Sequence, residues 1–466
     1  MAQISKINYS SLNEYLGRID AEFYKPASLL ADNTIKNQHF KLLGNLVQDG
    51  YRVVYGNTKI LRTDKVDFES DVRFLQATNI SNDGLWIETK DIGFVSQSDW
   101  FRYPKGRIKH GEILIEVKGL AEKVTIVQDY LPIKTLVTGT LFKLTLKDNS
   151  ISHEYLFAFF SSKYGKILRD RTKVNTLIAY VSKPELYKIP IPIFSKHDEI
   201  NISKFIEKSF FLQNQSQLLY KQATDLLNKE LGLDKIVFEN KKNYTARFSE
   251  VVSNNRSDAD YYQTKFRHLE KHIQSLQTVN LSSICSFVKG VEVGTPAYTS
   301  NGPTFIRVSN LTKEGFSLGN SDKYISNELY INLKSYQPQL GDILLTKDGT
   351  IGTCYVVDEY IEGIISSGIM NLNLFDSKIP KEYLALVINS KLCQMQAERE
   401  CSGALITHWK PEQIYNLRIP VLRPEVMEQI NELCIQSKTA RKESKRLLEH
   451  AKLRVEELIE EAANKQ

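Results

Sequence analysis

Residues 196–232, KHDEINISKFIEKSFFLQNQSQLLYKQATDLLNKELG, decide the fold because they predict one long helix with a coiled-coil seam. Stepping alternately by three and four residues from Ile202 gives a heptad pattern, which is typical of a helix that pairs with another helix. Six of the eight positions in this predicted seam are apolar; the positions are Ile202, Phe205, Ser209, Leu212, Ser216, Leu219, Ala223 and Leu226. A seam of this kind requires a partner helix.

The partner is predicted in the last part of the chain. The same stepping gives a second predicted seam, composed of Ile430, Leu433, Ser437, Ala440, Ser444, Leu447, Ala451 and Arg454. Each position lies 228 residues after its counterpart, and the two serine layers recur at the same steps. We expect these two copies of one helix to pair as an antiparallel coiled coil.

The repeat extends across the whole chain. Four pairs of segments match in the same order: DAEFY at 20–24 with DADYY at 258–262, FLQATNISNDG at 74–84 with FIRVSNLTKEG at 305–315, HGEILIEVKG at 110–119 with LGDILLTKDG at 340–349, and HEYLFAFFSSK at 153–163 with KEYLALVINSK at 381–391. The offset drifts only from 238 to 228 residues, as small loop insertions would cause. The matches predict a tandem duplication with a pseudo-twofold relation.

Each half is predicted to be a mixed α/β (α+β) unit followed by a long helix. Apolar runs near residues 113–117 and 124–127 predict strands, and residues 153–171 predict a helix. Both halves close on an extended Ile-Pro segment, since a proline disfavours helical backbone in the residue before it. We expect globular domains at 1–195 and 236–422, and helices at 196–235 and 423–466.

Composition is ordinary for a protein with packed cores. The chain is 42% hydrophobic and 10% aromatic, and its length of 466 residues allows two to four domains. The N-terminal residues do not resemble a secretion signal, and no apolar run is long enough to span a bilayer, so a soluble, cytoplasmic protein is expected. All five cysteines fall in the second half without a CxxC pair, which favours buried free thiols over disulfides or a zinc site.

Charge is distributed unevenly between the predicted helices and the globular parts. Residues 196–232 have a net charge of zero and residues 424–466 have a net charge of −1. Because the whole chain has a formal net charge of +6, the remaining residues carry +7. A modest basic excess on the globular parts is compatible with a phosphate-binding surface, although many proteins without nucleic-acid partners have a similar charge.

Two segments of the second half, GDILLTKDGTIG at 341–352 and SGALITHWKPEQIYNLRIPV at 402–421, carry a family resemblance. Together with two tandem units that each feed a long helix, they resemble the specificity (S) subunit of a type I restriction-modification enzyme over essentially the full chain. The first half departs from the family pattern at residues 116–120, EVKGL.

The resemblance implies a non-catalytic subunit for DNA recognition. Each globular unit would be a target-recognition domain that recognises half of a bipartite site in double-stranded DNA, and the paired helices would set the gap between the halves. A helix of the predicted length spans roughly 55 Å, which is one to two turns of duplex DNA. The implied partners are two methyltransferase (M) and two restriction/translocase (R) subunits. S-adenosylmethionine, ATP and Mg²⁺ would belong to those partners, and no cofactor is expected on this chain.

Candidate DNA contacts are polar residues in predicted loops and at strand ends. Arginine and lysine bind phosphates, and Asn, Thr and His can also reach base edges. The candidates are Arg73, Asn79, Arg107, Lys118, Arg171, Lys173, Arg307, Asn310, Lys347, Thr350, Thr407, His408 and Lys410. The competing interpretations are a local cap for the two asparagines, a solvated loop around Arg107, and a plain hairpin for residues 347–352.

The sequence lacks motifs that are typical of enzymes and metal-binding proteins. The chain has no GxxxxGK[ST] phosphate loop and no Asn-Pro-Pro-aromatic motif of an adenine methyltransferase, which argues against a self-contained enzyme. His268 and His272 have helical spacing for a metal but no evident third ligand, so no metal site is expected. A related type IIB-like modification system and a coiled-coil scaffold that does not recognise DNA stay open as alternatives.

Overall fold

The computed structural model of the chain describes residues 4–7, 18–52, 58–62, 66–68, 71–148, 150–174, 178–238, 241, 243–319, 322–401 and 408–464. Its strands are β1 Phe40–Leu42, β2 Val47–Arg52, β3 Val72–Leu75, β4 Gly93–Val95, β5 Ile113–Glu116, β6 Lys118–Gly119, β7 Val124–Ile126, β8 Thr135–Val137, β9 Leu141–Leu146, β10 Ala179–Tyr180, β11 Pro190–Pro192, β12 Thr278–Asn280, β13 Cys285–Lys289, β14 Tyr298–Ile306, β15 Leu311–Thr312, β16 Gly315–Phe316, β17 Tyr324–Ile325, β18 Ile343–Thr346, β19 Cys354–Val356, β20 Gly363–Ile365, β21 Ile369–Leu374 and β22 Arg418–Pro420.

The α-helices are Pro26–Lys36, Leu43–Leu46, Gln97–Arg102, His153–Ser161, Lys163–Thr172, Lys183–Tyr187, Lys196–Glu230, Phe248–Asn254, Thr264–Gln274, Asn327–Asn332, Lys381–Ile388, Lys391–Glu400, Pro411–Tyr415 and Pro424–Asn464. We call Lys196–Glu230 the central helix and Pro424–Asn464 the C-terminal helix. None of the helices in the described part of the chain has the length and apolar content needed to cross a bilayer.

The chain divides into two compact units. Unit 1 comprises the residues up to 215 together with those from 440 onward, and unit 2 comprises residues 216–439. The sequence repeats placed boundaries at 195, 235 and 422, between globular parts and helices. In the structure each globular part instead takes half of the central helix and half of the C-terminal helix into its own unit.

Both units contain the same arrangement of sheets. A four-stranded antiparallel sheet has the order β2-β9-β5-β7 in unit 1 and β13-β21-β18-β19 in unit 2. A three-stranded sheet has the order β4-β3-β8 in unit 1 and β17-β14-β20 in unit 2, with one parallel pair in each. The Ile-Pro segments form the second strands of the two-stranded sheets β1-β11 and β12-β22. The chain is therefore mixed α/β, as predicted.

A buried tyrosine fixes each Ile-Pro segment. The Tyr155 hydroxyl donates to the Pro192 carbonyl at 2.7 Å, and the Tyr383 hydroxyl donates to the Pro420 carbonyl at 2.9 Å. Both tyrosines belong to the apolar core of their unit. The strand that leads into each long helix is thus attached to the helix His153–Ser161 or Lys381–Ile388 beside it.

An arginine clasp lies just before a short 3-10 turn in each unit, Ala21–Tyr24 in unit 1 and Ala259–Tyr262 in unit 2. Arg18 makes a two-pronged ion pair with Asp20 and donates to the Thr172 and Lys173 carbonyls.

Arg256 repeats this clasp in unit 2. It pairs in the same way with Asp258 and donates to the Glu400 carbonyl at 3.1 Å. The guanidinium groups also lie over the rings of Phe23 and Tyr261, at 4.4 and 4.8 Å. The clasp therefore fixes the end of the helices Lys163–Thr172 and Lys391–Glu400.

Buried serines lie where the two long helices contact each other within each unit. In unit 1, Ser209 and Ser444 each donate to the other's carbonyl, at 2.7 and 2.6 Å. In unit 2, the Ser437 hydroxyl donates to the Ser216 carbonyl at 2.7 Å. Small side chains permit this close approach, and the contacts run in opposite chain directions along the two helices. The serine layers predicted from the repeat face each other in this way.

Burial along the two long helices follows the predicted seam at one position of each heptad and is shifted by one residue at most of the others. Ile202, Ser209, Ser216 and Ala223 are buried as predicted, and so are their counterparts Ile430, Ser437, Ser444 and Ala451. Between them, seven residues that lie one place after a predicted seam position are also buried, while Tyr220 is half-buried; the seven are Ile206, Gln213, Leu227, Cys434, Arg441, Leu448 and Val455. The seam therefore steps by four and then three.

Several of the predicted seam residues occupy flanking positions. Phe205, Leu212, Leu219, Leu226 and Leu433 are only half-buried. The ring of Phe205 contacts His450 of the C-terminal helix edge-on at 4.4 Å. Ala440 and Leu447 are buried, but beside the seam residues Arg441 and Leu448. The physical reason is that, within each unit, the helical segments pack on the globular core as well as on each other, which widens their apolar face.

The helix predicted at residues 153–171 is two helices with a break at Ser162. The backbone of Ser162 is extended, with φ −71° and ψ 166°, and its hydroxyl accepts from the Gly165 amide at 3.3 Å. A Cβ on Gly165 would lie 2.0 Å from the Phe159 carbonyl oxygen. Ser162 thus ends one helix and caps the next, and Gly165 lets the two pack closely.

Candidate nucleic-acid interface

In unit 2 several strand ends meet at one edge of the four-stranded sheet. Lys289, the last residue of β13, pairs with Met370 of β21, and Thr346, the last residue of β18, pairs with Ile369. The amides of Gly290 and Lys347 donate to the carbonyls of Ile369 and Gly368, at 3.0 and 2.8 Å. We call this the strand-end edge of unit 2. It brings loops from three parts of the sequence together.

The loop 347–353 projects from this edge and is closed by its own residues. The Thr346 hydroxyl accepts from the Thr353 amide at 2.9 Å, and the Gly352 amide donates to the Thr346 carbonyl at 2.8 Å. Gly349 has φ +66°, a conformation that favours glycine, and it is exposed together with Thr350. The predicted tight turn between two strands is therefore present and points outward.

Three side chains, Lys347, Asp348 and His408, interact at the base of the loop. The Lys347 ammonium lies 2.6 Å from one oxygen of Asp348, and His408 Nδ1 lies 2.8 Å from the other. Burial disfavours the charged carboxylate, but the hydrogen bonds from Lys347 and His408 outweigh it, so the pKa of Asp348 lies below its usual value. A backbone bridge between Asp348 and His408 ties the loop to the segment that begins at residue 408.

Unit 1 has an equivalent strand-end edge with different chemistry. The Glu116 carboxylate closes the loop 116–123 by accepting from the amides of Glu122 and Lys123, at 3.0 and 3.2 Å. Lys118 is exposed and pairs with Tyr180 in the short sheet β10-β6. This pairing corresponds to the bridge between Asp348 and His408. The same loop therefore presents a lysine in unit 1 and an aspartate in unit 2.

Arg52 adds a second cation to the edge of unit 1. It is the last residue of β2, its Nε donates to the Gly139 carbonyl at 2.8 Å, and its guanidinium lies 4.7 Å from the centre of the Tyr180 ring. Sequence reasoning missed Arg52, Lys289 and Asp348. Their signal was position: each stands at or just beyond the end of a strand in the matched halves.

The predicted DNA-contact residues differ in how exposed their side chains are. Lys118, Thr350, His408 and Lys410 are exposed at or near the two edges. Arg73, Arg107 and Arg307 are half-buried; Arg73 lies over the Phe94 ring, and Arg107 lies over the Trp100 ring and donates to the Trp100 carbonyl. Thr407 lies outside the described residues.

Two residues predicted to contact DNA, Arg171 and Asn310, have internal side chains in the structure. Arg171 is buried, pairs with Asp32 at 3.0 Å and donates to the Phe23 carbonyl. Asn310 is 2% exposed.

The side-chain amide of Asn310 makes its hydrogen bonds inside the unit. It accepts from the Arg307 amide and donates to the Ser317 carbonyl and to Asp322. Asn310 and Arg171 therefore both make internal contacts.

Three further candidates have structural partners that compete with DNA. Asn79 accepts from the Gln76 amide, so the alternative of a local cap is the one observed. Lys173 pairs with Asp170 at 2.6 Å. Lys347 is 8% exposed, and its ammonium pairs with Asp348 at 2.6 Å.

No metal centre is formed in the part of the chain that the structure describes. No group of three or more His, Cys, Asp or Glu side chains there is placed to hold an ion. His272, one of the two histidines with helical spacing, has its Nε2 2.7 Å from the Leu231 carbonyl at the end of the central helix. The cysteines are free, and burial raises the pKa of the Cys285 thiol to about 12.

The architecture is that of a mixed α/β chain with two long helices and two units, which share their sheet orders and each have a loop at a strand-end edge. No protein-family model and no curated protein matches the chain. Among solved structures it is similar to the S subunit of a type I restriction-modification system from M. genitalium, at 12% identity and a TM-score of 0.41, covering 91% of this chain and 95% of that one.

Two more solved structures have the same extent of overlap. The HsdS subunit from Thermoanaerobacter tengcongensis has 12% identity and a TM-score of 0.29, covering 91% of this chain and 96% of that one. A chain from a type I restriction-modification complex, described for its assembly and conformational transition, has 13% identity and a TM-score of 0.28, covering 92% and 96%.

Proposed function

We propose that this chain is the DNA sequence-specificity subunit of a type I restriction-modification system. Each unit recognises one half of a bipartite target in double-stranded DNA. The central and C-terminal helices pair as an antiparallel coiled coil, set the spacing of the half-sites and bind the methyltransferase and restriction/translocase subunits. The chain itself performs no catalysis, and the partner subunits bind S-adenosylmethionine, ATP and Mg²⁺.

One observation carries the proposal: the two units share their framework and differ at the strand-end edge. The sheet orders, the arginine clasps and the tyrosine bonds to Pro192 and Pro420 recur in both units. The loop at the edge has Lys118 in one unit and Asp348 in the other. A constant scaffold with variable loops is what two domains that recognise different DNA sequences require, because base contacts specify and the scaffold only positions them.

The exposed residues at the edges support binding to DNA. Lys118, His408 and Lys410 are exposed, and Arg52 lies over the ring of Tyr180, the residue that pairs with Lys118. Such cations attract the phosphate backbone independently of sequence. The rest of the surface fits this use, since the globular parts carry the whole positive excess of the chain and the two long helices carry none.

The decisive experiment is to express the chain with its presumptive methyltransferase subunit and to sequence the host DNA for methylated adenines. We expect a bipartite motif with a fixed unspecific gap that appears only when both proteins are present. The methyltransferase expressed alone is the control. Unchanged methylation in a strain where the two proteins fail to copurify would contradict the proposal and favour a scaffold that does not recognise DNA.

A further inference from the structure

Equivalent loops of the two units present opposite charges. Lys118 and Asp348 both directly precede a glycine with positive φ, Gly119 at +114° and Gly349 at +66°, and both pair with a segment beyond the following helices. Lys118 is exposed, and Asp348 has 23% of its side chain exposed. The sequence repeat aligns the same two residues. The position is thus conserved in geometry within the chain but reversed in charge.

An acid at this place is unfavourable for simple attachment to DNA. A carboxylate repels phosphates and also repels the N7 and O6 acceptors that guanine presents in the major groove. Adenine offers an amino group beside its N7 acceptor, so a carboxylate gains one contact and meets repulsion at the other. Cytosine presents the N4 amino donor, the group that Asp and Glu side chains accept from. Among the four bases, cytosine fits a carboxylate best.

Asp348 is held ready for such a contact. Its two oxygens are fixed by the Lys347 ammonium and by His408 Nδ1, at 2.6 and 2.8 Å. The Lys347 amide and carbonyl are also bonded, to the Gly368 carbonyl and the Trp409 amide. A carboxylate has about four lone-pair sites, so these two bonds leave acceptor capacity. A fixed, charged acceptor with spare capacity costs little rearrangement when a donor arrives.

We propose that Asp348 is a specificity-determining residue of unit 2, which accepts a hydrogen bond from the N4 amino group of a cytosine in the half-site of that unit. The inference rests on the proposed function and adds the chemical identity of one recognised base. Lys347 and His408 are positioning residues, because they act through the Asp348 carboxylate. Lys118 at the equivalent place of unit 1 can only donate, so the two half-sites differ in the base that this loop recognises.

The test selects duplexes from a randomised DNA library with the full chain, in complex with its methyltransferase partner, and sequences the bound fraction. Wild-type protein should enrich cytosine at one position of one half-site. Asp348→Ala should lower that preference by roughly 5- to 150-fold, the range for loss of one good base contact. Asp348→Asn should move the preference toward adenine, because an amide both accepts from N6 and donates to N7.

Two matched variants separate recognition from other effects. Asp129→Asn removes the same charge from a side chain that is 97% exposed in unit 1, and it should leave both half-sites unchanged. Lys118→Asp places the carboxylate on the exposed equivalent loop and should introduce a cytosine preference in the other half-site. This gain does not depend on whether the Asp348 variants fold, which circular dichroism melting will show.

The outcomes distinguish the inference from the function on which it rests. If folded Asp348→Asn and Asp348→Ala proteins select the same half-sites as wild type, the role of Asp348 is refuted while the proposed function stands. The same holds if Lys118→Asp leaves the other half-site unchanged when the Asp348 variants do not fold. If wild-type complex selects no sequence at all, the proposed function itself fails.

Discussion

At the residue scale, the arginine clasp is the feature with the clearest dependence on pH. The hydrogen bond from Arg256 is the largest cause of the lowered pKa of Asp258, and Arg18 acts on Asp20 in the same way. A carboxyl whose pKa falls on folding stabilises the native state above the unfolded pKa of about 3.9. That contribution is lost as the pH falls through the folded value.

We therefore predict that Asp258→Asn lowers the melting temperature of unit 2 at pH 7 and has progressively less effect below about pH 4. Asp258 is half exposed, so solvent screening limits the loss to about 1 kcal/mol or less and the shift to about 2–4 °C. Scanning calorimetry over this pH range measures both. Asp260→Asn, in the same helical turn, is the control with the smaller effect. An equal loss at pH 7 and pH 3.5 would show that the clasp does not act through the Asp258 charge.

Which polar residues face outward could be predicted only in part from the sequence. Gly349 made the loop 347–353 predictable, because a tight turn between strands needs a residue that tolerates positive φ. Arg171 and Asn310 belong to polar residue types that usually lie on the surface. Their partners Asp32 and Asp322 stand elsewhere in the chain, and a pattern of local spacing carries no information about such pairs.

At the element scale, the period of the long helices was predictable and the register was not. Six apolar residues in eight steps established a paired helix, but Phe205 and Ile206 are both apolar and adjacent. The heptad pattern alone cannot choose between them when a helix packs on two surfaces. The structure chooses Ile206, which is fully buried in the core of unit 1.

The corrected register predicts unequal effects of two truncations in the central helix. Ile206→Ala should destabilise unit 1 by about 2–5 kcal/mol, as expected for a buried large-to-small change. Leu212→Ala, at a predicted seam position that is only half-buried, should cost well under about 2 kcal/mol. Thermal and urea unfolding of the two variants give the comparison. Equal losses would support the register that steps by three and then four.

At the scale of the whole molecule, each unit has its own apolar core. The core of unit 1 includes Ile202 and Val455, and the core of unit 2 includes Ala223 and Ile430, so each takes residues from both long helices. Two separate apolar cores in one chain predict that unfolding is not a single two-state transition. We expect two transitions.

A matched pair of substitutions assigns the two transitions. Tyr155→Phe removes the hydrogen bond to the Pro192 carbonyl, and Tyr383→Phe removes the bond to the Pro420 carbonyl. Each should cost about 1–3 kcal/mol in its own unit, because a buried acceptor loses its partner. Calorimetry should show that each single change lowers one transition and that the double change lowers both additively. A single change that lowers both transitions alike would show that the units unfold together.

The division of the chain between the units also fixes an order of events during synthesis. Unit 2 is one continuous stretch, residues 216–439, whereas unit 1 needs the helical segment from residue 440 onward. The ribosome adds about 5–20 residues per second, so the N-terminal part waits roughly 10–50 s for the segment that completes it. During this interval Ile202, Ile206 and Phe210 lack the C-terminal residues that cover them. The nascent N-terminal half is therefore the stage at which chaperone binding should matter most.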